Sequence, residues 1–299
     1  TLKERYPKLV YAICTGYGEY GPDKDLPGFD FTAFFARGGY FDSLRQRGTV
    51  PFNGVPGLGD HNVGMNLAAG ILAALYQAKT TGKGEKVETS LFESAIFNMG
   101  MMIQASNYEG IAQQYPIDVR KGANPFNGAF ETKDGRFIQF CMPDYNVYYK
   151  QFMKALGRED LVDNEDYFPI LTCQAKGKTT EVYDIVTEQM KKKTAAEWLP
   201  ILKEADVAFG LCQSWMEIRQ DPQAEANNCF YDMTYDNGNT RRLVRPPVRF
   251  QNMGNADYKR GPLIGGQGVE VLKELGYDDA KINEMLENKS LYVWSDPEK

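Results

Sequence analysis

Histidine is nearly absent from this sequence of 299 residues, which contains only His61. Ser-His-Asp and Cys-His arrangements and histidine-rich metal sites would all have to use that one side chain, so most of that chemistry is excluded and no metal centre is expected. Cysteine is sparse as well. Cys14, Cys141, Cys173, Cys212 and Cys229 form an odd, scattered set without CxxC spacing, as reduced thiols of a cytoplasmic enzyme would. Basic residues number 34 against 40 acidic, a net charge of −6, and no basic face interleaved with aromatics offsets it. Nucleic acid is therefore not an expected partner. No apolar run approaches the roughly 18–20 residues of a membrane span, so a membrane partner is not expected either.

What is present describes a globular chain. Hydrophobic residues make up 42% and charged residues 25% of the sequence, and a chain of this length can bury about 75% of its unfolded surface without disulfides or structural metal. The length suits one large or two medium domains. The chain opens at Thr1 in what reads as a helix end running into a strand, and a truncated beginning is expected.

The first hundred residues alternate strand and helix signals. Leu9–Cys14 is a short apolar run that ends in Gly16, Gly18, Gly21 and Pro22, as for a buried strand opening into a loop. Residues 16–60 are too rich in Gly, Pro and aromatics for regular structure throughout, and long ordered loops usually carry function. Val63–Ala78 predicts a helix with Leu67, Ile71, Leu72 and Leu75 on one face and small residues over much of the rest, a pattern for a buried helix. Gly82 supplies its stop. Val87–Leu91 reads as a strand and Phe92–Ile103 as a helix, with Met99, Met101 and Met102 as core filler.

Further on, two β-like runs, 129–132 and 137–141, flank Lys133-Asp134-Gly135-Arg136, a hairpin signal. Thr194 with Glu197 fits a capping box, although Pro200 obscures the length of that helix. Short strands are expected at Leu243-Val244 and Val248–Phe250, then a helix closed by Gly276 and another capped by Asp278. The fold class is α/β: a Rossmann-like large domain, 1–120 plus 206–299, with an inserted smaller α+β domain, 121–205.

Gly16-Tyr17-Gly18-Glu19-Tyr20-Gly21 matches G-x-G-x-x-G after a strand. A dinucleotide site needs a helix to start inside that motif, and Pro22 and Pro27 make a poor one. Thr81-Gly82-Lys83-Gly84 lacks phosphate-loop spacing and reads as a helix cap and turn. In Gly57-Leu58-Gly59-Asp60-His61 a carboxylate stands before a helix between glycines that let a ligand approach the backbone. Asp60 is either a simple N-cap or an exposed nucleophile kept ionised by the helix end and able to form an acyl intermediate. Asp30, boxed by Phe29 and Phe31, is a second candidate, or else a loop acid. Gly122-Ala123-Asn124-Pro125 is either a linker turn or a lid.

The run 57–91, GLGDHNVGMNLAAGILAALYQAKTTGKGEKVETSL, closely resembles the signature block of family III CoA-transferases. Asp221-Pro222, Pro246–Phe250, Gly261-Pro262-Leu263 and Val271–Gly276 resemble its C-terminal block. The resemblance implies that Asp60 attacks an acyl-CoA thioester to give an aspartyl mixed anhydride, and that an aspartyl-CoA thioester follows. Coenzyme A is then a substrate, and no cofactor is permanently bound. It implies a small carboxylic acid as second substrate and an interlocked homodimer. Residues at Gly28, Phe29 and Asp30 would border the acyl and pantetheine end, and a glycine loop, reduced here to Gly122-Ala123-Asn124, would cover the nucleophile. The family's usual Gly-Glu-His reads Gly265-Gly266-Gln267 here.

Two alternatives are an α-methylacyl-CoA racemase and a catalytically silent CoA-binding chain. Racemases of the family carry a histidine where this chain has Phe29, and His61 adjoins Asp60 and cannot serve the opposite face. The stretch from Gly16 to Ala33 looks most like transferases that act on 2-hydroxy acids such as phenyllactate and 2-hydroxyisocaproate in amino-acid fermentation.

Overall fold

The structure, a computed structural model, describes residues 2–110, 115–235, 237–252 and 258–293. The chain divides into two compact units, Thr1–Cys212 and Gln213–Lys299.

The first unit opens with the short helix α1 (Leu2–Arg5) and strand β1 (Tyr11–Thr15). A π-helical segment, Asp30–Ala36, and the short helix α2 (Tyr40–Ser43) interrupt the expected long loop. Then comes α3 (Leu58–Thr81), which delivers the chain to β2 (Lys86–Ser90), parallel to β1 with Tyr11 opposite Lys86 and Thr15 opposite Ser90. This β-α-β unit is the α/β element that the sequence predicts. Its helix stops at Gly82, whose left-handed φ of 75° only glycine adopts cheaply. The Phe92–Ile103 helix is two pieces, α4 (Leu91–Asn98) and α5 (Gly100–Ala105), with Ser90 capping α4 through its hydroxyl. A small core of Ala33, Phe34, Phe35, Val63, Leu91 and Ala95 lies among α3, α4 and the π-helical segment.

Three expectations need correction here. First, α3 is not buried. Val63, Ala74 and Ala78 face inward, whereas Leu72 and Leu75 of the expected buried stripe, together with Met65 and Tyr76, are exposed. The small residues let β2 approach closely, Gly70 against Val87, so the large apolar side chains are left on the outer face. Secondly, α3 begins five residues before the predicted start, so Asp60 lies in its first turn and Gly57 is the N-cap. Thirdly, Met101 is 77% exposed and fills no core.

Beyond a 3₁₀ turn at Val119–Lys121, strands β3 (Gly128–Glu131) and β4 (Phe137–Phe140) form the predicted hairpin, with Gly135 at φ 72° in its turn. The helices α6 (Tyr145–Ala155), α7 (Ile170–Ala175), α8 (Thr179–Met190) and α9 (Ala195–Glu204) follow. Thr194 and Glu197 make the capping box, and Pro200 is accommodated within α9. β5 (Phe209–Leu211) completes an antiparallel sheet in the order β3-β4-β5. A large aromatic core holds these elements, with Phe126, Phe140, Tyr149, Phe152 and Trp198 fully buried.

The second unit contains α10 (Trp215–Ile218), α11 (Pro222–Ala226), the hairpin β6 (Phe230–Thr234) and β7 (Thr240–Val244), then α12 (Gly268–Glu274) and α13 (Asp279–Glu287). Asp278 caps α13 through its carboxylate, as predicted. The strand expected at Val248–Phe250 is absent; that stretch follows Pro246-Pro247, which lack the N–H groups a ladder needs. Among the described residues no helix is long and apolar enough to cross a membrane.

Candidate active site

Parallel α/β sheets bind ligands beyond the carboxyl ends of their strands. At that end of β1 the Thr15 hydroxyl accepts a hydrogen bond from the Gly18 amide at 2.8 Å and turns the chain outward. The loop that leaves returns at Gly28, which lies against Gly16 so closely that a β-carbon on Gly16 would stand 2.5 Å from the Gly28 α-carbon. The Gly16 carbonyl accepts from the Phe92 amide at 3.1 Å, which ties this neck to the start of α4. Arg37 closes the loop from outside. Its guanidinium lies 5.0 Å from the Tyr17 ring centroid and 5.2 Å from that of Phe92, and pairs with Asp23 at 2.7 Å.

From the neck, Phe29 points to solvent, 68% exposed, while the next residue, Asp30, is 8% exposed. One Asp30 oxygen accepts from the Gly57 amide at 2.6 Å and the other from the Gly59 amide at 2.9 Å. These amides belong to the start of α3, where N–H groups have no helical partners. Gly57 itself stands at φ 85° and offers no side-chain cap. Asp60 follows as the third residue of the helix, exposed, and the helix end favours its negative charge. Asp60 is therefore no N-cap; the capping carboxylate belongs to Asp30.

Asp60 also acts on the end of β1. Burial pushes the Cys14 thiol above its ordinary value, and the negative charge of Asp60 adds to that shift. Local sequence gave no sign of this pairing, because it depends on the packing of β1 against α3. A recess of about 270 Å³ farther along α3 was equally hidden. Asn66 donates to Ser94 at 3.0 Å, and Thr89, Glu93 and Phe97 complete its walls, residues from a helix, a strand and a second helix.

Gly122, Ala123 and Asn124 lie with the aromatic core of the hairpin region. Asn124 donates to the Met142 carbonyl at 2.8 Å, its side-chain oxygen accepts from the Phe126 amide, and Gln174 donates to the Ala123 carbonyl at 2.9 Å. The structure thus brings Gly28, Phe29 and Asp30 to the start of the Asp60 helix and anchors 122–124 to α7 and the strand ends. Among the described residues no three His, Cys, Asp or Glu side chains gather as metal ligands.

The family model of CoA-transferase family III matches residues 1–268. The chain belongs to that family. A cinnamoyl-CoA:phenyllactate CoA-transferase of Clostridium sporogenes is 52% identical over 293 residues, which cover 98% of this chain and 71% of that protein. An (R)-2-hydroxy-4-methylpentanoate CoA-transferase of Clostridioides difficile is 42% identical, with 96% of this chain and 71% of that one covered. Among solved structures, a CAIB/BAIF family protein from Brucella suis matches with a TM-score of 0.73 at 21% identity, covering 92% of this chain and 70% of that one. Rv3272 of M. tuberculosis matches at 0.69 and 22% identity, covering 84% of this chain and 65% of that one. At such identity these two show the shared fold. The family III chain is an enzyme of the CoA-transferase class, and its α/β architecture is the family's.

Proposed function

We propose that this chain moves CoA from an acyl-CoA to a 2-hydroxy acid, with Asp60 as the nucleophile. The observation that carries the reading is an exposed carboxylate in the first turn of α3, beside the carboxyl end of β1, in a chain 52% identical to a transferase named for cinnamoyl-CoA and phenyllactate. An Asp60 oxygen attacks the thioester carbonyl; the C–S bond breaks, and CoA thiolate leaves an aspartyl mixed anhydride. The thiolate then attacks the aspartyl carbonyl, releasing the first acid as its carboxylate and leaving an aspartyl-CoA thioester. The incoming acid's carboxylate displaces the thiolate to form a second anhydride. Attack of the thiolate on the new acyl carbonyl gives the product acyl-CoA and frees Asp60.

Gly28 and Phe29 border the acyl end in this reading, and residues 122–124 cover it. Coenzyme A comes and goes as substrate, with nothing permanently bound. Residues 121–205 act as a smaller domain within the larger one, and the working form is a cytoplasmic homodimer. The exposed Leu72, Leu75, Met65 and Tyr76 of α3 support a partner copy; a single monomeric species in sedimentation at micromolar concentration would remove that part.

The test is hydroxylamine trapping with cinnamoyl-CoA, read by mass spectrometry. A modified Asp60 is expected, and phenyllactate should restore turnover when hydroxylamine is omitted. Undiminished transfer by Asp60→Ala would end the proposal.

A further inference from the structure

We propose that Asp30 is the positioning residue of the reaction, a remote cap whose buried carboxylate holds the first turn of α3 and thereby aims Asp60. This rests on the reading of Asp60 as nucleophile.

A helix that begins at a left-handed glycine has no local acceptor for its first amides. Serine, threonine, asparagine or aspartate at the N-cap would normally supply one, and here that position is Gly57. Asp30 supplies it from 27 and 29 residues away, one oxygen to each of two amides that flank Leu58. One bond would allow the turn to pivot about it. Two bonds to alternate amides fix the peptide planes from 57 to 59, and so the direction in which the next residue, Asp60, leaves the backbone. Both bonds, at 2.6 and 2.9 Å, are to the two oxygens of one buried side chain.

The holder is itself held. Asp30 opens a π-helical segment whose Ala33, Phe34 and Phe35 are 0–3% exposed. The approach depends on glycine at position 59, because a β-carbon there would strike both the Asp30 carboxylate and the Phe34 ring. With both oxygens engaged and the residue buried, Asp30 acts through Asp60 and does not act on the acyl group. Phe29 is the solvent-facing member of that pair of neighbours.

The experiment compares the unmodified chain with Asp30→Asn, Asp30→Glu and Asp60→Asn. Asn keeps one acceptor but turns an N–H₂ towards a backbone N–H, whereas Glu retains two acceptor oxygens on a longer stem. Hydrogen exchange by mass spectrometry should quicken for the peptide containing Gly57 and Gly59 in Asp30→Asn, while β4 amides stay unchanged. The rate of Asp60 acylation by saturating cinnamoyl-CoA should fall about tenfold to a hundredfold, the usual consequence of a nucleophile displaced by about 1 Å, with the KM for cinnamoyl-CoA within about threefold of the unmodified chain. Asp30→Glu should recover more of the acylation rate than Asp30→Asn.

A raised KM with unchanged acylation at saturation would make Asp30 a substrate-binding residue and overturn the proposal. So would faster exchange at 57–59 with an unaltered acylation rate, or exchange that does not change at all. If Asp60→Asn is acylated as fast as the unmodified chain, the nucleophile reading itself fails. The exchange result then reports the cap separately.

Discussion

Gly16 and Gly28 meet backbone to backbone at the mouth of the site, with no side chain between them. The contact closes the loop that connects the end of β1 to the π-helical segment. Substituting alanine at Gly28 inserts a methyl group into occupied space, and overpacking of this kind costs about 2 kcal/mol. Gly21, in the same loop, has open space around it but stands at φ 93°; alanine there meets backbone strain alone, about 1 kcal/mol. Urea denaturation of the two variants should therefore rank Gly28→Ala as the more damaging.

Arg37 lies against both Tyr17 and Phe92 and pairs with Asp23. Arg37→Ala should loosen the loop by about 1 kcal/mol, the scale of a partly exposed cation–π contact. Lysine should not restore it, because an ammonium cannot lie flat against two rings. Limited proteolysis between Gly16 and Gly28 reads the effect; equal protection of Arg37→Ala and unmodified protein would contradict it.

Cys14 reports the charge on Asp60. Its thiol is raised first by burial and then by the carboxylate. In Asp60→Asn the pH midpoint of Cys14 alkylation should move down yet stay above the ordinary thiol value of about 8.5, since the larger cause persists. A peptide-resolved iodoacetamide profile measures this, with Cys141 and Cys212, exposed like Cys14, as controls. An unmoved midpoint would show that the two groups do not interact.

Asp134 joins the hairpin turn to α9. The Thr132 hydroxyl, donating at 2.6 Å, and then the Ala195 amide at 3.0 Å hold its carboxyl below the usual carboxylate range. Because the folded value is depressed, the stabilisation is complete above the unfolded value of about 4 and is lost as pH falls through the folded one. Asp134→Ala should thus lower the melting temperature by a constant amount from pH 8 to pH 5, and the gap should narrow below about pH 4. A gap independent of pH would place the effect outside the carboxylate.

Signals confined to a few residues were legible in the sequence. The Asp134-Gly135 turn, the Thr194–Glu197 capping box, the stop at Gly82 and the Asp278 cap each depend on neighbours within a handful of positions. The family block around Asp60 was legible too, and it located the candidate nucleophile. The start of α3 was not, because its cap comes from Asp30 and no local residue announces it. The π-helical segment was concealed by its own aromatics, Phe29 to Phe35, which read as loop. Amphipathic spacing on α3 predicted an apolar face correctly but could not say which elements of the chain would cover it, and Leu72 and Tyr76 remain open.

The bond from Gly57 to Asp30 spans 27 residues. Closing a flexible loop of that length costs about 3 kcal/mol of chain entropy before any contact repays it. Most of α3, by contrast, forms from neighbours along the chain. Loop entropy therefore favours the helix ahead of the carboxylate that fastens its end. A link made after the rate-limiting step of folding leaves the folding rate alone and governs how quickly the native state comes apart. The candidate nucleophile is thus mounted on a turn whose fastening comes from outside its own helix, and every opening of that fastening releases the turn.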